Sequence, residues 1–75
     1  MRKRKTDYTI IIHSAEEGGY WVEVPALPGC YSQGETIEQS LTNIKEAIGA
    51  HLLALKRTGK RIPKDKILVL SHVEV

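Results

Sequence analysis

The sequence predicts a small α+β domain of order β-β-β-α-β, an antiparallel-rich sheet with one long helix across one face. Three observations carry that expectation. Residues 8–13 and 20–24 are rich in β-branched and aromatic side chains and flank Glu16, Glu17, Gly18 and Gly19, the composition of a hairpin loop. Ile37, Leu41, Ile44, Ile48, Leu52 and Leu55 recur at steps of three and four, which lays one apolar stripe along a helix. Residues 67–70 are apolar without interruption and open a closing strand over 67–73, buried on both faces or central in its sheet.

Residues 1–5 form a basic arm, since four adjacent like charges repel one another and have only Met1 to bury. Residues 6–75 form one domain. In the first strand Tyr8, Ile10 and Ile12 share one face, and Thr9, Ile11 and His13 the other. In the second, Tyr20, Val22 and Val24 alternate with Trp21 and Glu23. Pro25, Pro28 and Gly29 cannot extend a strand but turn it, so the chain folds into a corner before a third strand over residues 30–33.

The helix is expected over residues 35–59. Thr36 as N-cap with Gln39 three residues on reads as a capping box, and Glu35 and Glu38 suit the positive end of the macrodipole. Lys56 and Arg57 occupy the last turn and Gly59 offers the C-cap conformation. Ile37, Leu41, Ile44, Ile48 and Leu52 are assigned to the core, and Gly49 marks a close approach of helix to sheet.

Seventy-five residues bury a thin core, which favours self-association or a partner subunit. The lone Cys30 forms no intramolecular disulfide, which points to a reducing compartment, the cytoplasm. The run of Ile10, Ile11 and Ile12 is too short for a membrane span or a signal-peptide core.

The net charge of +2 conceals a segregation: residues 6–55 carry one Lys against seven acids, whereas residues 2–5 and 56–66 are strongly basic. An acidic middle suits a basic partner, and the basic flanks suit nucleic acid or solubility. For nucleic acid the candidates are Arg2, Lys3, Arg4, Lys5, Lys56, Arg57, Lys60 and Arg61. The same residues also read as a solvated tail and a charged helix end, because no aromatics are interleaved with them.

No catalytic constellation stands out. Cys30 with one of His13, His51 or His72 is the conceivable nucleophile and base, but a half-buried Cys is more often structural. No two histidines lie three or four residues apart as zinc ligands on a helix would, so neither metal nor cofactor is expected. The better signal is for binding. With Tyr20, Val22 and Val24 turned toward the helix, Trp21 is left outside with Glu23, and exposed aromatics beside acids fit a protein interface. A one-residue change of phase would reverse that assignment.

The run GGYWVEVPALPGCYSQGETIEQSLTNIKEAI, with Gly19-Tyr20, residues 25–30 as the Pro-x-Leu-Pro-Gly-Cys corner, and Gly34 to Thr36 opening an amphipathic helix, resembles the signature of HicB-family antitoxins. The resemblance covers residues 8–63. It implies a β-β-β-α-β fold likened to part of ribonuclease H, and a domain that silences a HicA toxin, a small basic protein that cleaves mRNA with a catalytic His. It also implies homo-oligomers and repression of the antitoxin's own operon. Longer members append a DNA-binding domain, and no such extension follows here, which leaves DNA binding without its usual module. The expectation is a non-enzymatic antitoxin whose partner-binding residues are Glu16, Glu17, Trp21, Glu23 and Tyr31. The alternatives are a nucleic-acid-binding regulator using the basic flanks and a stand-alone HicB-like domain of other function.

Overall fold

The computed structural model describes residues 7–66 and 68–75, so the arm expected over residues 1–5 lies outside the described residues. Three strands, β1 (Ile11–Ser14), β2 (Tyr20–Glu23) and β3 (Tyr31–Gly34), precede one helix, α1 (Ile37–Arg57). The strands pair antiparallel in the order β1-β2-β3, and α1 lies against β2 and β3. The α+β class read from the sequence is the observed one.

The β1–β2 hairpin closes through Gly18 N–H to the Ala15 carbonyl at 3.1 Å and Ala15 N–H to the Gly19 carbonyl at 3.0 Å. Gly18 and Gly19 both take positive φ, 101° and 77°, which side chains with a Cβ resist. At Gly19 an added Cβ would also meet the Gly34 carbonyl oxygen at 2.8 Å.

Between β2 and β3 the chain makes two β-turns in succession. Leu27 N–H donates to the Val24 carbonyl at 2.9 Å and Cys30 N–H to the Leu27 carbonyl at 3.0 Å. Each turn has a proline, Pro25 or Pro28, at its second position, where the fixed φ of the ring is already correct. Gly29 supplies the positive φ, 87°, required at the third position of the second turn. The double turn drives Leu27 inward until it is fully buried, with Val22, Val24, Cys30 and Ile44 around it. Tyr8, Ile10, Ile12, Ala47, Ile48 and Leu52 pack on this cluster from outside, each half-buried.

The helix starts and stops where its sequence signals say. Thr36 is the N-cap, extended at φ −125° and ψ 163°, and its hydroxyl accepts from Gln39 N–H at 3.0 Å. The Gln39 side chain returns the bond to Glu35 N–H, one residue before the N-cap. At the other end Gly59 N–H donates to the Lys56 carbonyl and Lys60 N–H to the Leu55 carbonyl, the two bonds of a Schellman motif, with Gly59 at φ 71°.

Three expectations for the helix and tail are corrected. Ile44, Ile48 and Leu52 do pack on the core, but Ile37 and Leu41 are each 43% exposed. Ser40 takes the inward position instead, fully buried, with its hydroxyl donating to the Thr36 carbonyl at 2.9 Å. Measured round the helix from Ser40, which points at the sheet, Ile37 lies at about 60° and Leu41 at about 100°, both on the same side. The close approach lies at Gly34, where an added Cβ would sit 2.7 Å from the Ser40 backbone nitrogen. Gly49, assigned that role from the sequence, is exposed with open space where its Cβ would be. Finally, of the closing strand expected over residues 67–73, Ile67 lies outside the described residues and residues 68–73 form no strand.

The chain nevertheless returns to β1 after the helix. Thr9 donates its N–H and its hydroxyl to the two carboxylate oxygens of Asp65, at 2.8 and 2.7 Å, and the Tyr8 hydroxyl donates to the Pro63 carbonyl at 2.5 Å.

Gly34→Ala is expected to destabilise the fold by more than Thr36→Ala, because a backbone clash cannot be relieved by a side-chain rotation whereas loss of a cap costs about 1 kcal/mol. Urea denaturation of the two variants ranks them. Burial first, and then the Asp65 charge, raise the pKa of the Tyr8 phenol above its ordinary value. The folded chain therefore holds this proton more tightly than the unfolded one, so the contribution of the phenol is constant through neutral pH. It is lost as pH climbs from about 10 through the higher folded value. Tyr8→Phe is expected to cost about 1 kcal/mol at neutral pH and to remove part of the alkaline loss, measured by the same denaturation across pH.

Candidate partner-binding face

Strand alternation sorts the sheet into two faces. Val22 is fully buried beneath α1, and Val24 nearly so, which fixes Trp21 and Glu23 on the opposite side. The phase left open by the sequence is therefore settled with Trp21 outward. Register then assembles two cross-strand rows on that outer face: Ile11, Glu23 and Tyr31 in one, His13, Trp21 and Gln33 in the other. Three of the expected partner-binding residues, Trp21, Glu23 and Tyr31, share this surface.

Its centre is built. The His13 imidazole stacks on the Trp21 indole with ring centroids 3.9 Å apart and planes within 10°. His13 Nε2 lies 2.7 Å from Glu23 Oε2, so the carboxylate orients the imidazole along its diagonal neighbour. Trp21 is thus held in one orientation yet stays 37% exposed, and Tyr31 is 64% exposed. A preset aromatic loses little side-chain freedom when it is covered, which favours it as an anchor.

Glu16 and Glu17, exposed on the hairpin loop, lie at one end of this face. There an open cleft of about 1150 Å³ is lined by Glu16, Glu17, Trp21, Gln33, Glu35 and Gln39 among others, with no Lys or Arg in its wall. The cleft exists because Gly19 lets the hairpin loop meet the start of the helix. Aromatic surface with acids at its rim suits a basic protein surface. The sequence did not single out His13, Ile11, Gln33 or Glu35 for this face. The alternation placing Ile11 and His13 opposite Ile10 and Ile12 held the first two, whereas Glu35 arrives through a tertiary contact that no local pattern encodes.

The other candidates sit apart. Lys56, Arg57, Lys60 and Arg61 are exposed around the C-terminal end of α1, while Arg2, Lys3, Arg4 and Lys5 lie outside the described residues. Cys30 is buried in the core, and burial raises the pKa of its thiol, the opposite of what a nucleophile needs. His13, its conceivable base, projects from the outer face toward Glu23 instead. Among the described residues no group of three or more His, Cys, Asp or Glu could hold a metal ion, and no helix is long and apolar enough to cross a membrane.

A small antiparallel sheet under one helix, with an aromatic and acidic outer face, defines the class as a compact α+β domain. The particular family follows from comparison: residues 8–73 match the model of the HicB-like antitoxin of bacterial toxin-antitoxin systems, and the chain belongs to that family. It is 53% identical over 58 residues to a UPF0150 protein of Thermoplasma acidophilum, covering 77% of this chain and 84% of the relative. A UPF0150 protein of Archaeoglobus fulgidus is 40% identical over 68 residues, covering 91% and 93%. One from Synechocystis is 36% identical over 67 residues, covering 89% and 85%. Family membership supports a toxin-antitoxin role and with it a toxin partner.

Proposed function

We propose that this chain is a cytoplasmic, non-enzymatic antitoxin that neutralises a HicA-type mRNA-cleaving toxin by covering it with the outer face of its sheet. Trp21 and Tyr31 are the apolar anchors, and Glu16, Glu17 and Glu23 complement the positive charge of an RNA-binding protein. The single observation that carries this reading is the grouping of Trp21, Glu23 and Tyr31 on one exposed face, with the acidic loop at its end. The separation of that face from the basic end of the helix supports it further, since a cationic toxin meets no repulsion there.

The test is a binding titration against a purified small basic toxin of the HicA type. Trp21→Ala and Tyr31→Ala are each expected to weaken binding by about tenfold or more, corresponding to at least ~1.4 kcal/mol, with circular dichroism unchanged. Wild-type affinity in the folded double variant would reject the face.

A second reading, a nucleic-acid-binding regulator, is favoured by the exposure of Lys56, Arg57, Lys60 and Arg61 together at one end of the helix. It predicts binding to duplex DNA or RNA that weakens steeply with salt and is lost when these four bases are changed to Gln. No binding at low salt would remove it.

A further inference from the structure

The indole of Trp21 is covered on one side only. Strand register places His13 and Gln33 on opposite sides of it, the first on β1 and the second on β3. The imidazole lies flat on the indole, with the two planes within 10°, so it covers the face of the ring turned toward β1. The other face turns toward β3, where the cleft opens: Trp21 and Gln33 line it, and His13 does not. Trp21 therefore presents to the cleft a flat π surface that is already supported from behind.

The amide groups of the wall hold its shape. Asn43 Nδ2 donates to the Gln33 carbonyl at 2.7 Å, and Gln39 Oε1 accepts from Glu35 N–H at 2.6 Å. The carboxylates of Glu16, Glu17 and Glu35 have no such task, since among the described residues none of them makes a hydrogen bond or an ion pair. Residues 6–55 contain a single Lys or Arg, Lys45, and it does not line the cleft. An aromatic face and unpaired acceptors thus share one wall with no cation of the same wall to satisfy them.

These features select among occupants. A bare metal ion needs converging ligands, and among the described residues no three His, Cys, Asp or Glu side chains are grouped to hold one. A nucleotide could stack on the indole, but its phosphate would meet the carboxylates. A lysine ammonium, a strongly hydrated point charge, would answer the acids and make little use of the ring. An arginine guanidinium answers both, because it is planar, stacks on an indole, and directs a fork of N–H donors at carboxylates. The cleft, at about 1150 Å³, is much larger than one side chain, so it also admits the length of chain that bears it.

We propose that this cleft is a guanidinium subsite, in which an arginine side chain of the basic partner stacks on the open face of Trp21 and is held by Glu16 and Glu35. The subsite rests on the reading of the outer face as partner-binding and adds to it the side chain that the face selects. His13 and Glu23 act in it as positioning residues, fixing the ring from behind.

The probe is the tripeptide Gly-Arg-Gly, blocked at both ends and titrated into the isotope-labelled full chain, with blocked Gly-Lys-Gly titrated separately. The one indole N–H resonance, that of Trp21, is expected to shift saturably, and the arginine peptide to bind at least about threefold more tightly than the lysine peptide. Glu35→Gln is expected to weaken the arginine peptide about threefold, whereas Glu38→Gln, which removes the same charge from the first helical turn outside the cleft, leaves it unchanged. Equal affinity for the two peptides, an indole resonance that does not move, or equal losses from Glu35→Gln and Glu38→Gln would each overturn the subsite. Arginine-peptide binding by a chain that ignores the toxin would uphold the subsite and reject the toxin reading. A toxin that binds the wild-type chain while neither peptide moves the indole would do the reverse.

Discussion

The burial of Leu27 is the constraint on which the rest of this structure depends. A side chain at the tip of a connection is normally in solvent, but two successive proline-led turns fold the connection back beneath the helix and make its middle residue the centre of the core. The strands are only four residues long, about 13 Å, and α1 extends about 31 Å, so sheet and helix alone would leave much of the helix uncovered. The corner supplies the missing apolar contact. It also sets the direction in which β3 leaves, and through Gly34 the distance at which the helix begins.

That arrangement divides the labour between the faces of the sheet. The helix-facing side is occupied by Val22, Ile12 and the corner, so the opposite side is free to carry polar and aromatic chemistry without cost to the core. The acidic groups gather where the hairpin loop meets the start of α1, and the basic groups gather where α1 ends. Charge segregated along the sequence becomes charge segregated in space because one long helix separates its two ends.

The parts of the fold legible in the sequence were those set by local chemistry. Thr36, Gln39 and Gly59 fixed the ends of the helix through hydrogen bonds made within a few residues, and the glycines and prolines fixed the turns. What depended on packing was harder to read. Ile37 and Leu41 fit the helical period as well as Ile44 does, yet Ser40 takes the position against Gly34 and both stay 43% exposed, and a serine at the centre of an interface has no signature in hydropathy. The corner was recognised as a turn but not as the core, because a Leu between prolines looks the same whether it points in or out. The apolar run after residue 67 reads as a buried strand by composition, yet residues 68–73 form none, because composition records what a segment can pair with and not whether the pair is made. On the candidate face, alternation places Trp21 with Glu23 once the phase is chosen, while Tyr31 and His13 reach it through the register of their strands with β2.

The His13 stack gives the molecule a built-in optical gauge. Trp21 is the one indole in the chain, and its ring rests against an imidazole that a carboxylate holds in place. Indole fluorescence from this chain therefore originates at a single spot on the outer face of the sheet. Anything that covers that spot, or parts the two rings, changes the colour or brightness of the emission without a dye having been attached.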